Sequence, residues 1–202
     1  ISIGSGETNG VRELADILSS FQTQYPSVTF DFYTATADEI KERLDKGLLD
    51  IGLLTEPVDI SKYNFVCLSM RERWGLLVRK DSALAQKEYV RPEDLLHVPL
   101  ITVKRPMVQN ELESWFEDYY DQIQIVGTCN LINNAAVMVE KGIGCVLCIH
   151  LGINYRNLKF VPLSPALETG SVIVWKKNQL NSQIVYKFIG FIEFIGFIEF
   201  LK

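Results

Sequence analysis

Histidine is almost absent from this 202-residue chain, which holds only His97 and His150. Neither sits in a recognisable nucleophile motif, and no acid and base pair up along the sequence, so the chain is read as a non-enzyme. A lone histidine after an apolar strand is more often structural. Positive charge is also short: 20 Lys and Arg against 25 Asp and Glu leave a net charge of −5. Such a balance does not supply the basic surface that drives phosphate-backbone binding, so this chain alone is not expected to hold DNA. No charged region, apolar stretch and cleavage site open the sequence, and Ile1 lies inside an apparent strand. A fragment cut at a domain boundary, from a cytoplasmic protein, is the expectation.

Cysteine is sparse as well. Residues 67, 129, 145 and 148 lie in or beside apolar runs, without the even spacing of a secreted disulfide scaffold. Cys145-Val146-Leu147-Cys148 has the spacing of a metal or redox pair, but residues three apart on a strand face opposite sides and no second pair with zinc spacing exists. No metal and no cofactor are therefore expected, and redox sensing with Cys129 is a minor alternative. A dinucleotide fingerprint is also set aside. In Gly4-Ser5-Gly6-Glu7-Thr8-Asn9-Gly10 the third glycine comes one place late, and the next strand ends in Thr-Ala-Thr rather than an acid.

Hydrophobic residues make up 48% and charged residues 22%, ordinary values for a globular α/β protein. The chain opens on a strand at 1–3, then Val11, Leu14, Leu18, Phe21 and Tyr25 mark one face of a helix that Pro26 ends. A half-buried strand over 28–33 follows. Thr36 with Glu39 has the form of a capping box, Ile40 and Leu44 supply the buried face, and Gly47 the stop. With the buried strand 50–54, the order strand, helix, strand, helix, strand predicts a parallel sheet covered on both faces. Strands at 65–70 and 74–79 and a helical turn at 92–96 lead into a second unit. It comprises strand 100–103, a helical stripe at Leu112, Trp115, Phe116 and Tyr119, strand 123–126, a helix over 131–141 and strand 145–149. Strands at 158–163 and 171–176 and a helix from Ser182 complete the chain. Crossings near 78 and 162 divide it into a first lobe of 1–78 with 163–202 and a second of 79–162, with a ligand cleft between them.

An ordered series of features carries a family resemblance over nearly the whole length. It comprises Ile1-Ser2-Ile3-Gly4, the stretch Phe21 to Pro26, Leu44 to Leu53, Asp94-Leu95, Pro99-Leu100-Ile101, and Met138 to Gly144. In these the chain resembles the effector-binding domain of LysR-type transcriptional regulators. It departs at Arg79 to Ala85, which lacks the usual histidine-proline pair, and at His150, which replaces a common proline. The resemblance implies the type II periplasmic-binding-protein fold, two Rossmann-like lobes joined by two crossover strands. It implies a small-molecule effector, a homodimer in which helix 10–25 and strand 28–33 face the partner's second lobe, a tetramer for the full-length protein, and DNA contact only through a missing N-terminal domain. An extracytoplasmic solute-binding protein of a transporter is the alternative. A signal peptide upstream of Ile1 would favour that alternative, and a helix-turn-helix segment the regulator.

Ligands of such folds bind at the carboxyl ends of parallel strands, and the sequence offers four such places. Ser5, Gly6, Glu7 and Thr8 combine backbone N–H groups and hydroxyls at a helix start, a seat for an anion, although Thr8 or Asn9 could instead serve as a plain N-cap. Thr34 and Thr36 present hydroxyls, and Thr36 could be spent as the cap. Ile101 and Thr102 leave a strand, while Thr128, Cys129 and Asn130 precede a helix; these could also be a polar loop capping its own helix. The resemblance makes Thr102 and Asn130 the stronger candidates. Few Lys or Arg lie in these segments, which points to a weakly charged organic molecule or small anion rather than a polyphosphate.

The C-terminus repeats Phe188-Ile189-Gly190-Phe191-Ile192-Glu193 as residues 194–199. Six residues advance a helix by about 600°, so the copies face about a third of a turn apart and only one is expected to pack. A membrane span would have to carry Glu193, Glu199, Gly190 and Gly196, and is not expected.

Overall fold

The computed structural model describes residues 1–200, with side chains as far as Phe197. Two compact units emerge, the first from Ile1–Arg71 and the chain from Gly170 onward, the second from Glu72–Thr169. The divisions at 71/72 and 169/170 lie seven residues from those expected at 78/79 and 162/163.

The first unit contains β1 (Ser2–Ser5), α1 (Val11–Gln24), β2 (Asp31–Thr34), α2 (Ala37–Asp45), β3 (Ile51–Thr55), the start of β4 (Tyr63–Arg79), the end of β9 (Glu168–Lys176) and α5 (Gln183–Phe200). β1 runs parallel to both β2 and β3, but β9 lies antiparallel on β3. The three strands of residues 1–54 are parallel as expected, and β9 makes the whole sheet mixed. Alternate residues of β9 feed two cores: Ile173 and Trp175 join α1 and α5, and Val172 and Val174 join α2. Burial on both faces is why this strand reads as an unbroken apolar run.

α1 buries Leu14, Ile17, Leu18 and Phe21, the i, i+3, i+4, i+7 stripe of an amphipathic helix. On the other face α2 sits close to the sheet because β1 and β3 carry glycine beneath it. A Cβ at Gly4 would stand 2.7 Å from Leu49 and 2.8 Å from Ile40, and one at Gly52 would stand 2.9 Å from Leu44. Gly47, at φ +69, makes the left-handed turn after α2.

The second unit holds the rest of β4, 3₁₀ turns at Ala83–Gln86 and Pro92–Leu95, β5 (Leu100–Val103), α3 (Pro106–Phe116), a 3₁₀ stretch Glu117–Gln122, β6 (Ile125–Cys129), α4 (Ile132–Glu140), β7 (Cys145–Ile149) and β8 (Leu158–Pro162). β5 is parallel to β6 and β7, whereas β4 is antiparallel to β7 and β8. One core gathers Leu76, Leu100, Ile101, Ala135, Val139, Val146 and Val161.

Three local expectations change. The two strands at 65–70 and 74–79 are one, β4, because Arg71-Glu72-Arg73 continues the pleat instead of breaking it. Glu72 is only 3% exposed, while Arg71 and Arg73 point to solvent near Glu56 (3.7 Å) and Glu168 (3.3 Å). The helical stripe ends at Phe116, since Glu117 has φ +50 and Tyr119 belongs to the 3₁₀ stretch. That helix starts earlier than expected, with Pro106 in its first turn, a position suited to proline's fixed φ and missing N–H.

The terminal repeat departs in part from expectation, since Ile195 of the second copy also packs half-buried against the first unit's core. Phe188, Ile189 and Ile192 of the first copy are buried, and the Phe188 ring lies 4.9 Å from that of Phe21. Phe194 and Phe197 of the second copy are each 61% exposed, and Ile198 and Glu199 lie outside the described side chains. No helix among the described residues is long and apolar enough to cross a membrane.

Phe188→Ala should therefore lower unfolding free energy by about 3–5 kcal/mol, whereas Phe194→Ala should stay within about 0.5 kcal/mol of the parent. Urea denaturation followed by tryptophan fluorescence checks both. Equal costs at the two positions would contradict the assignment of a buried Phe188 and an exposed Phe194.

Candidate functional site

In the first unit the parallel register sets Ser5 beside Thr34 at the carboxyl ends of β1 and β2. The two loops are tied where the Ala35 N–H donates to the Ser5 carbonyl at 3.1 Å. Ser5 is buried and donates its hydroxyl to the Gly6 carbonyl at 2.8 Å. Thr8, also buried, accepts the Gly10 N–H at 3.1 Å and lies 3.3 Å from the Ser171 hydroxyl on β9. Gly6 and Glu7 are half-buried.

The helix start beside them is more self-contained than its sequence suggests. Gly10 is the N-cap of α1, with no side-chain capping bond, so neither Thr8 nor Asn9 plays that part. Asn9 instead accepts from the Arg12 guanidinium at 2.7 Å. The Val11 and Arg12 N–H groups already donate to the Thr8 and Asn9 carbonyls, at 3.4 and 3.0 Å. Two donors of the first turn of α1 are thus spent within the chain.

Thr34 is exposed at the end of β2. Thr36 caps α2 in a complete capping box: its N–H and hydroxyl donate to the Glu39 carboxylate at 2.9 and 2.7 Å, and its oxygen accepts the Glu39 N–H at 3.4 Å. The Thr36 N–H, then its hydroxyl, hold the Glu39 carboxyl below the usual glutamate range. The hydroxyl of Thr36 is committed to the cap.

In the second unit β5 and β6 set Thr102 beside Thr128 and Val103 beside Cys129, again at carboxyl ends. Ile101 is fully buried in the core, so its side chain is part of the packing rather than of a surface. Thr102 is 6% exposed. Thr128 and Asn130 are exposed, and Cys129 packs half-buried against the core. In contrast to α2, α4 begins at Leu131 with no side-chain cap, and Asn133 in its first turn accepts the Tyr155 hydroxyl at 3.0 Å. Asn130 therefore does not cap its own helix.

Sequence reasoning passed over Arg105. It is half-buried, occupies the N-cap position of α3 and follows Thr102 by three residues. Pro106, a helix-start signal, marks where to look for it. Ser171 was missed too, because its closeness to Thr8 depends on β9 returning to the first unit.

Among the described residues no group of three His, Cys, Asp or Glu could hold a metal ion. No disulfide joins the four cysteines, and burial pushes the Cys145 thiol up, away from the thiolate that redox chemistry uses.

Two α/β units exchanging the chain through extended strands have the architecture of type II periplasmic-binding-like domains. The chain matches the LysR substrate binding domain family over residues 1–194, and it belongs to that family. Among relatives from Bacillus subtilis, the HTH-type transcriptional regulator AlsR is 25% identical over 188 residues, covering 85% of this chain and 58% of AlsR. The uncharacterized HTH-type regulator YvbU is 24% identical over 158 residues, covering 76% of this chain and 51% of YvbU. The chain thus spans little more than half the length of these two relatives. The effector binding domain of QuiR in complex with shikimate superposes with a TM-score of 0.82 at 17% identity, over 97% of this chain and 96% of that one. The BenM effector binding domain with its effector benzoate gives 0.71 at 21% identity, over 100% and 94%.

Thr36→Ala should cost about 1 kcal/mol of stability, as measured for lost N-caps. Glu39→Gln tests the charge. A carboxyl with a depressed folded pKa adds stability above its ordinary value of 4.5 and loses it as pH falls through the lower folded value. Urea midpoints of parent and Glu39→Gln should differ at pH 7 and converge towards pH 3; a constant gap would contradict the capping role.

Proposed function

We propose that this chain is the effector-sensing part of a longer, cytoplasmic LysR-type transcriptional regulator. It binds a small organic acid or similar weakly charged metabolite, and binding alters how a homodimer or tetramer presents DNA-binding domains carried elsewhere in the full protein. The observation that carries the reading is the matched pair of polar strand ends. Ser5 and Thr34 stand side by side in one unit, Thr102 and Thr128 in the other, each pair at the carboxyl ends of parallel strands. On this reading the contact set is Gly6, Glu7, Thr34, Thr102, Thr128 and Asn130, with Arg105 added as a cation beside β5. Ser5 and Thr8 shape the first loop, and Ile101 and Cys129 act through backbone only.

Hydroxyls and amides favour a neutral or singly charged ligand, since few cations are at hand to offset the desolvation of a polyanion. The family membership favours a regulator over a transport protein. Shikimate, present in the QuiR structure, and benzoate, present in the BenM structure, are small carboxylates and set the first compounds to try.

The experiment is a thermal-shift panel of small carboxylates, beginning with these two. A ligand at 100 times its Kd adds about 2.7 kcal/mol to stability. Thr102→Val, which keeps the buried volume while removing the hydroxyl, should abolish the shift without lowering the ligand-free Tm by more than a few degrees. A full shift retained in Thr102→Val and in Thr128→Ala would overturn this placement of the site. Light scattering that gives a monomer at high concentration would overturn the dimer.

A further inference from the structure

One face of α5 is aromatic and yet exposed. Tyr186 is 50% exposed, Phe194 and Phe197 are each 61% exposed, and Lys187, Gly190 and Glu193 are exposed with them. At about 100° per residue these six positions fall within about 60° of one another's midline at Gly190, so they form a single stripe along the helix. The opposite side, Val185, Phe188, Ile189 and Ile192, is buried in the first unit.

The two glycines of α5 differ in what excludes a side chain. Gly196 rests on β4, where a Cβ would stand 2.6 Å from Val66. A Cβ on Gly190 would meet nothing within 4 Å. Packing within the chain therefore does not account for glycine at 190, although only proline is a poorer helix former.

The stripe is complementary to itself about that residue. A two-fold axis through Gly190, with two α5 helices antiparallel, sets each residue level with the one equally far beyond 190 in a second copy. Lys187 then meets the second copy's Glu193 and Glu193 its Lys187, about 4.5 Å from the axis along the helix, and Tyr186 meets Phe194 at about 6 Å. Two opposite-charge pairs and two aromatic pairs form together, around a centre where no side chain holds the backbones apart. A parallel pair would instead oppose Lys187 to Lys187 and Glu193 to Glu193. Within one helix these two charges are six residues apart, outside the i, i+4 spacing at which side chains pair. Among the described residues Glu193 enters no ion pair, and Lys187 Nζ stands 5.0 Å from the centroid of the Tyr25 ring.

We propose that this face of α5 is a homotypic contact, on which a second copy of the chain docks its own α5 antiparallel across Gly190. The aromatic side chains supply the buried area. The charges set the direction, since exposed ion pairs add little affinity while like charges opposed across a contact are costly. The contact goes beyond the function proposed above and is separate from the pairing expected through residues 10–25 and 28–33, so a chain carrying both could join more than two copies.

The test is sedimentation velocity of the full chain across a wide range of concentration, with circular dichroism to check that each variant is folded. Lys187→Glu and Glu193→Lys should each weaken self-association about tenfold, because every substitution occurs twice in the pair, and Lys187→Glu/Glu193→Lys should return to within about twofold of the parent. The double variant does not restore the Lys187 contact with Tyr25, so its recovery separates pairing across copies from packing within one. Phe194→Ser should weaken association about tenfold or more, and Gly190→Gln, at a position open to solvent, should do the same by holding the backbones apart. Association that Phe194→Ser, Gly190→Gln and both single charge variants leave unchanged would overturn the contact while leaving a dimer through residues 10–25 in place. Failure of the charge swap to recover would overturn the antiparallel arrangement, and a parent chain that stays monomeric at every concentration would overturn this contact together with that dimer.

Discussion

Burial of both faces of the first unit's sheet is the constraint on which the rest depends. Successive residues of β9, from Val172 to Trp175, go alternately to the α2 side and to the α1/α5 side. Neither helical layer can therefore shift without exposing apolar surface on its own face. That fixes where β1 and β2 end, and so where Ser5 and Thr34 stand. It also explains the glycines at 4 and 52, since a methyl group at either would push α2 off the sheet and open one of the two cores.

Periodic and capping signals were readable from the sequence because their physics is local. The stripe of α1, the capping box at Thr36 and Glu39, and the stop at Gly47 depend on residues within a few positions of one another, and all three stand as expected. The merging of two strands into β4 was not readable, because a charged triplet normally ends an apolar run, and only the sheet as a whole could accept Glu72 inside. Antiparallel pairing of β9 on β3 was equally hidden: alternation tells which face a residue takes, not which strand lies next to it.

The same division runs through the candidate site. That polar residues gather at strand ends was legible, as was the family. Apart from the Thr36 cap, what each of these residues does was not. Thr8 ties the loop to Gly10 and β9, and Ile101 belongs to the core, each for a reason that depends on register or on a residue far along the chain. Thr102 and Thr128 became neighbours only through the pairing of β5 with β6.

The repeated hexapeptide in α5 leaves the groove over Phe21 with two chemically identical tenants to choose from. Side-chain complementarity cannot discriminate between them, so the choice falls to the tether. Only residues 177–182 separate β9 from α5, and the first copy is the one they place over the groove. Seating the second would slide the helix back by about 9 Å, at 1.5 Å per residue, and force six intervening residues to bulge or unwind. Degeneracy in composition is thus broken by chain length alone, and lengthening that connection is the change that would let the two registers compete.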